Sequence, residues 1–83
     1  MYSIIFKKPA INYLKKLDKN IAREINKKIM KLKITPGLGI PLGGNLSGLR
    51  KLRIGKFRVI YEIKNYELII YVLRIGHRKN IYE

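Results

Sequence analysis

The chain has 83 residues, enough for one small domain spanning 1–83 with a single core. Nineteen Lys and Arg against five Asp and Glu give a formal net charge of +14, yet 47% of the residues are hydrophobic, so a folded chain under strong self-repulsion is expected. There is no Cys, which excludes a disulfide framework and a thiolate metal site; no apolar run approaches the ~18 residues of a membrane span, and "MYSIIFKKPA" is too short for a signal peptide. The expected location is the cytoplasm. A nucleic acid, an acidic protein or an anionic membrane surface would each relieve the charge. A lysine-rich composition without a binding role is the plain alternative.

In chain order, "YSIIF" (2–6) is a β-branched and aromatic run that reads as a strand. Pro9 suits the first turn of a helix over 9–17, in which Ile11, Leu14 and Leu17 share a face. Asp18 is placed to cap a second helix over 19–33. Its Ile21, Ile25, Ile29 and Leu32 form an apolar stripe, with Arg23, Glu24, Lys27, Lys28 and Lys31 opposite. The basic helix lacks Trp or Phe on its apolar face, so the sequence gives little support to a membrane-surface role. "TPGLGIPLGGNLSG" (35–48) is a Gly- and Pro-rich loop. No helix start follows its glycines, so a phosphate cradle there is weakly supported. "LRKLRI", "FRVIYEI" and "ELIIYVLRI" then read as three strands. The last is apolar almost throughout, as expected of a central strand buried on both faces. The order β-α-α-β-β-β predicts an α+β fold: an N-terminal strand, an αα-hairpin and an antiparallel three-strand meander, with the helices on one face of the sheet.

The hairpin at 49–63 holds five cations in nine residues: Arg50, Lys51, Arg53, Lys56 and Arg58. A two-residue turn at Gly55-Lys56, with Gly first as type II′ prefers, would set Ile54 against Phe57, Leu52 against Val59 and Arg50 against Tyr61 on a mostly apolar face. The other face would then carry Arg53 against Arg58, and Lys51 against Ile60. Like charges directly opposed on a sheet cost roughly 0.2–1 kcal/mol. A bound polyanion would reverse the sign of that cost; guanidinium groups splayed into water would simply bear it. Tyr71 and Ile69 are also expected on this open face, where cations beside an aromatic ring suit stacked bases over fixed phosphates.

The C-terminal "RIGHRKNIYE" (74–83) contains the single histidine, His77, flanked by Arg78 and Lys79, with Tyr82 beyond. It follows the central strand and so emerges at a strand end. Histidine exchanges protons near neutral pH, although a solvated side chain is its common fate there. One His and five scattered carboxylates make no metal-ligand cluster, and no nucleophile motif, P-loop or dinucleotide fingerprint is present. No cofactor and no small-molecule substrate is therefore implied.

"LSGLRKLRIGKFRVIYEI" (46–63) and "VLRIGHRKNIYE" (72–83), with the strand, helical hairpin and Pro/Gly loop before them, resemble the RelE/ParE toxin superfamily of bacterial and archaeal toxin–antitoxin pairs. The resemblance implies a toxin neutralised by an acidic RelB-like antitoxin. RelE-type members act on the ribosome, cutting mRNA in its A site through attack of a ribose 2′-OH on the adjacent phosphate. ParE-type members act on DNA gyrase and are not nucleases. Position by position, the resemblance implies that Arg58 binds the scissile phosphate, that Lys51 and Arg53 are basic site positions, that Arg78 stabilises the transition state, and that Tyr82 stacks on or orients the base. Arg50, Lys56 and Lys79 are expected to contribute to RNA binding. Leu49 stands where the best-known RelE type has a further lysine, and other branches use a histidine at the position of His77. Lys51 and His77 thus both remain open as the general base. The clustered basic residues favour the RelE-type activity, with ParE-like inhibition of gyrase as the alternative.

Overall fold

A computed structural model describes residues 1–78. Lys79 and Tyr82, both expected at the site, lie outside the described residues. Five strands, β1 (Ser3–Phe6), β2 (Ile40–Pro41), β3 (Arg50–Ile54), β4 (Phe57–Lys64) and β5 (Ile69–His77), form one sheet in the order β1-β5-β4-β3-β2. β1 runs parallel to β5 and every other pair is antiparallel. Two helices, α1 (Lys8–Lys16) and α2 (Lys19–Met30), pack on one face, giving the α+β architecture that the pattern predicts.

The helix boundaries follow from local chemistry. Pro9 sits in the first turn of α1. The Asp18 carboxylate accepts from the Asn20 amide at 3.0 Å and caps α2. α2 ends at Met30 and tightens into a 3₁₀ turn over Lys31–Lys33, three residues inside the helical span expected from periodicity alone. Ile25, Ile29 and Leu32 are buried against Leu52, Val59, Tyr61, Ile70 and Val72 of the sheet, and Ala10 of α1 joins them. Ile21 begins the same stripe but stays 42% exposed. No helix among the described residues is long and apolar enough to cross a membrane.

The hairpin has the expected register in full: Arg50 opposes Tyr61, Lys51 opposes Ile60, Leu52 opposes Val59, Arg53 opposes Arg58, and Ile54 opposes Phe57. Gly55 holds a φ of +56° while Lys56 does not adopt positive φ, the signature of a turn with glycine in its first central position.

Two features depart from the expected sheet. The Pro/Gly loop contributes β2, a two-residue strand pairing Ile40 with Lys51 and Pro41 with Arg50. In addition, the β4–β5 register shifts between Ile60 and Tyr61: Ile60 opposes Arg74 while Tyr61 opposes Val72, which leaves Leu73 as an extra residue on β5. Such a bulge inverts side-chain parity beyond it. β5 is an interior strand as expected, but its buried large side chains, Ile70, Val72 and Ile75, all face the helices; Gly76 is buried too, Ile69, Tyr71 and Leu73 are half-buried and Arg74 is exposed. Among the described residues helices cover one face alone, so the continuous apolar run does not mean burial on both.

Candidate functional site

Strand alternation builds the site on the face away from the helices. Because β3 and β4 pair as described, Lys51, Arg53 and Arg58 share this open face. The bulge at Leu73 adds Arg74, which lies across from Ile60, and sets Gly76 across from Arg58. Two adjacent rows result: Ile40, Lys51, Ile60 and Arg74 in one, and Arg53, Arg58 and Gly76 in the next. The Arg78 amide donates to the Lys56 carbonyl at 2.8 Å, extending the β4–β5 pairing and holding Arg78 at the same end of the sheet as Arg58.

Acidic groups among the described residues lie elsewhere. Glu62 is further along β4 and pairs with Lys64 at 3.3 Å. Glu67 is in the β4–β5 turn, where its carboxylate accepts from the Tyr71 hydroxyl at 3.4 Å. Asp18 caps α2 and Glu24 lies on that helix. The open face is therefore zoned, with cations toward the Gly55 hairpin and a mixed acidic and aromatic surface toward the other end. Tyr71 belongs to this second zone, and the Lys7 ammonium lies 4.9 Å from its ring centroid.

Three sequence-derived candidates are placed differently from this group. His77 lies beyond the bulge on the helix-facing side, opposite Phe57, with the two ring centroids 6.2 Å apart in an edge-to-face arrangement. The sheet thus separates His77 from the face that carries Arg58. Arg50 also faces the helix side, where its guanidinium donates to the Gly39 carbonyl at 2.9 Å and reaches the Gly37 carbonyl at 3.4 Å. Lys56 occupies the exposed hairpin turn, at the margin of the cationic zone.

A cleft of about 570 Å³ lies over the outer edge of β3. Its cations are Lys51, Arg53 and Arg58 from the sheet together with Lys28 and Lys31 from α2 and the turn after it, and no acidic residue among the described ones lines it. Leu38, Gly39 and Ile40 form the remaining wall. The segment carrying that wall is fixed by Tyr61, whose buried hydroxyl donates to the Pro36 carbonyl at 2.7 Å and accepts from the Gly39 amide at 2.9 Å. Gly39 permits this close approach: a Cβ there would stand 2.5 Å from the Lys51 carbonyl oxygen and 2.8 Å from the Tyr61 hydroxyl.

Sequence reasoning missed Arg74, Lys28 and Lys31 as members of this surface. Arg74 is concealed by the bulge, since simple alternation from Tyr71 would send it toward the helices. Lys28 and Lys31 are legible as an i, i+3 pair on the basic side of an amphipathic helix, but only the fold shows that this side borders the hairpin. Among the described residues, no three His, Cys, Asp or Glu side chains come together as metal ligands.

Residues 4–82 match the family of the ParE toxin of the type II toxin–antitoxin system parDE. The "Putative RelE-like toxin protein" of Escherichia coli is 34% identical, with the alignment covering 94% of this chain and 84% of that one. Among solved structures, a chain of the toxin–antitoxin complex RelBE2 from Mycobacterium tuberculosis superposes with a TM-score of 0.86 at 29% identity, covering 93% of this chain and 98% of that chain. The isolated Escherichia coli RelE toxin shares the fold, with a TM-score of 0.78 at 17% identity over 93% of this chain and 84% of that one. Matched by the toxin family over nearly its whole length, and related in sequence to a RelE-like protein, the chain belongs to the RelE/ParE family of type II toxin–antitoxin toxins.

Proposed function

We propose that the protein is a ribosome-dependent endoribonuclease that cuts mRNA in the ribosomal A site and so halts translation. The observation that carries this reading is the gathering of Lys51, Arg53, Arg58 and Arg74 on one open face, at the end of the sheet where Arg78 also lies. Such a face suits an RNA backbone, because phosphate contacts with Lys and Arg supply most of the affinity for a single strand.

In the proposed reaction, Lys51 takes the proton of a ribose 2′-OH. The 2′-oxygen bonds to the adjacent phosphorus, the bond to the 5′-oxygen breaks, and that oxygen takes a proton from water as it departs. The products are a 2′,3′-cyclic phosphate and a 5′-hydroxyl. Arg58 and Arg78 hold the phosphoryl oxygens as negative charge builds on them, and guanidinium suits this task because it offers fixed paired donors and keeps its charge. Lys51 is preferred over His77 as the base because it shares a face with Arg58. Tyr82 is assigned to the base of the bound nucleotide, and Arg53 to the flanking phosphates with Lys56 and Lys79. Arg50 acts through the loop it grips.

The cognate partner is proposed to be an acidic antitoxin of the RelB type. The Mycobacterium tuberculosis relative was solved as a toxin–antitoxin complex, and a net charge of +14 favours fast, salt-sensitive capture by an acidic chain. Action on translated mRNA places the protein in the cytoplasm.

The match to the ParE toxin family favours a second reading, a non-nuclease inhibitor of DNA gyrase. Expression of the toxin followed by primer extension on cellular mRNA separates the two. Breaks inside the codons of translated messages support the nuclease; intact messages accompanied by gyrase-trapped DNA breaks support the inhibitor.

A further inference from the structure

We propose that the cleft over the outer edge of β3 is a second seat for the RNA strand, in which Lys28 and Lys31 hold a phosphate flanking the cleavage point and Leu38 and Ile40 receive a neighbouring base; this rests on the endoribonuclease reading above.

The sheet supplies the route. β2 pairs only with Arg50 and Lys51, so among the described residues β3 from Leu52 to Ile54 carries no outer strand, and a chain lying on the open face can pass over that edge. The cleft straddles the edge, with Lys51 and Arg53 on the open side and Lys28 and Lys31 on the helix side. Its volume of about 570 Å³ is that of a small-ligand site. Five cations line it with no carboxylate from among the described residues, and a polyanion complements that concentration of positive charge. Lys28 and Lys31 stand one helical turn apart on one face, so both can address a single phosphate.

The opposite wall has the other character a nucleotide requires. Leu38 and Ile40 are 46% and 56% exposed, a large aliphatic surface to leave in water beside a ring of charge. Their positions are fixed from beneath by the Tyr61 and Arg50 hydrogen bonds to residues 36–39. A wall fixed before binding loses little freedom when a base settles on it. Complementing the carbonyl end of α2 does not account for the pair, because Lys27 serves that end equally well and does not line the cleft.

The test uses the purified full chain and two single-stranded RNA probes, a dinucleotide that fits the Arg58 zone alone and a hexanucleotide long enough to cross the edge. The variant is Lys28→Gln with Lys31→Gln. Its control, with the same reduction of charge placed on α2 away from the cleft, is Lys19→Gln with Lys27→Gln. Affinity is read by fluorescence anisotropy across a salt series. The variant is expected to bind the hexanucleotide roughly tenfold more weakly, with the salt slope reduced by about 0.7 for each phosphate that is no longer neutralised, while its dinucleotide affinity matches that of the control. A variant that binds the hexanucleotide as well as the control does overturns the cleft and leaves the endoribonuclease reading standing. Failure of the unmodified protein to bind either probe also overturns the cleft as a seat for RNA, while the ribosome-dependent cleavage reading is decided separately by the primer-extension experiment above.

Discussion

The Tyr61 hydroxyl and the Gly39 amide are 2.9 Å apart, a buried hydrogen bond joining the middle of β4 to the loop that walls the cationic cleft. The same hydroxyl donates to the Pro36 carbonyl, so one side chain satisfies two backbone groups of that loop. Tyr61→Phe removes both bonds and takes the partner from the buried Gly39 N–H and the partly buried Pro36 C=O. That change is expected to cost about 1–3 kcal/mol in urea unfolding, with little change in the slope of the transition. Gly39→Ala is expected to be at least as damaging, since the new methyl would meet the Lys51 carbonyl, which is backbone and cannot turn aside. Unchanged stability in both variants would show that the loop does not depend on this hydroxyl.

How far the sequence discloses this arrangement depends on the residue. The hairpin register is readable because a two-residue turn beginning with Gly55 leaves a single way to set Leu52 and Ile54 against Val59 and Phe57. α2 is readable from Asp18 and the Ile25, Ile29, Leu32 stripe. β2 is not, because two residues within a Pro/Gly loop carry no periodicity. The bulge at Leu73 is equally silent, since Leu, Arg and Ile in succession do not reveal which of them is extra. That one unreadable residue moves Arg74 onto the site face and His77 off it. Arg50 follows from alternation as a helix-side residue, but its grip on Gly37 and Gly39 depends on where the loop folds back.

Arg58→Ala is expected to abolish growth inhibition while leaving the fold intact, because the Arg58 side chain belongs to the open face and not to the helix-packed core. Arg58→Lys keeps the charge but not the paired donor geometry, so partial activity is expected. Circular dichroism of both variants beside a growth assay checks the point. Full toxicity from a folded Arg58→Ala variant would take Arg58 out of the site.

Arg53 and Arg58 oppose each other directly on neighbouring strands, which disfavours the free protein. Arg53→Gln is therefore expected to stabilise the fold by roughly 0.2–1 kcal/mol at low salt, with the gain shrinking as salt screens the pair. The same variant is expected to cleave less well, because one cation fewer meets the RNA backbone. Thermal unfolding over a salt series and single-turnover cleavage on programmed ribosomes measure the two effects. If stability does not rise, the two guanidinium groups are already relieved in the free protein and the repulsion argument fails.

Lys51 and His77 lie on opposite sides of the sheet, and this bears on which of them is the base in the proposed reaction. Lys51 faces the same side as Arg58, on the same strand as Arg53, and lines the cleft. His77 stands against the Phe57 ring, which itself meets Tyr13 of α1 at 6.4 Å between centroids. An imidazole in that aromatic cluster serves the packing of the sheet end, and a proton taken there would have to come around the edge of β4 and β5. Lys51→Ala is accordingly expected to lower the single-turnover rate by about 100-fold or more, within the range that general-base catalysis contributes. His77→Ala is expected to lower stability by removing a ring from that cluster, while leaving the rate per folded molecule within a few-fold. A His77→Ala variant that stays folded yet loses the rate expected of Lys51→Ala, with Lys51→Ala itself near full activity, would instead make His77 the base and require the end of β5 to rearrange around the bound RNA.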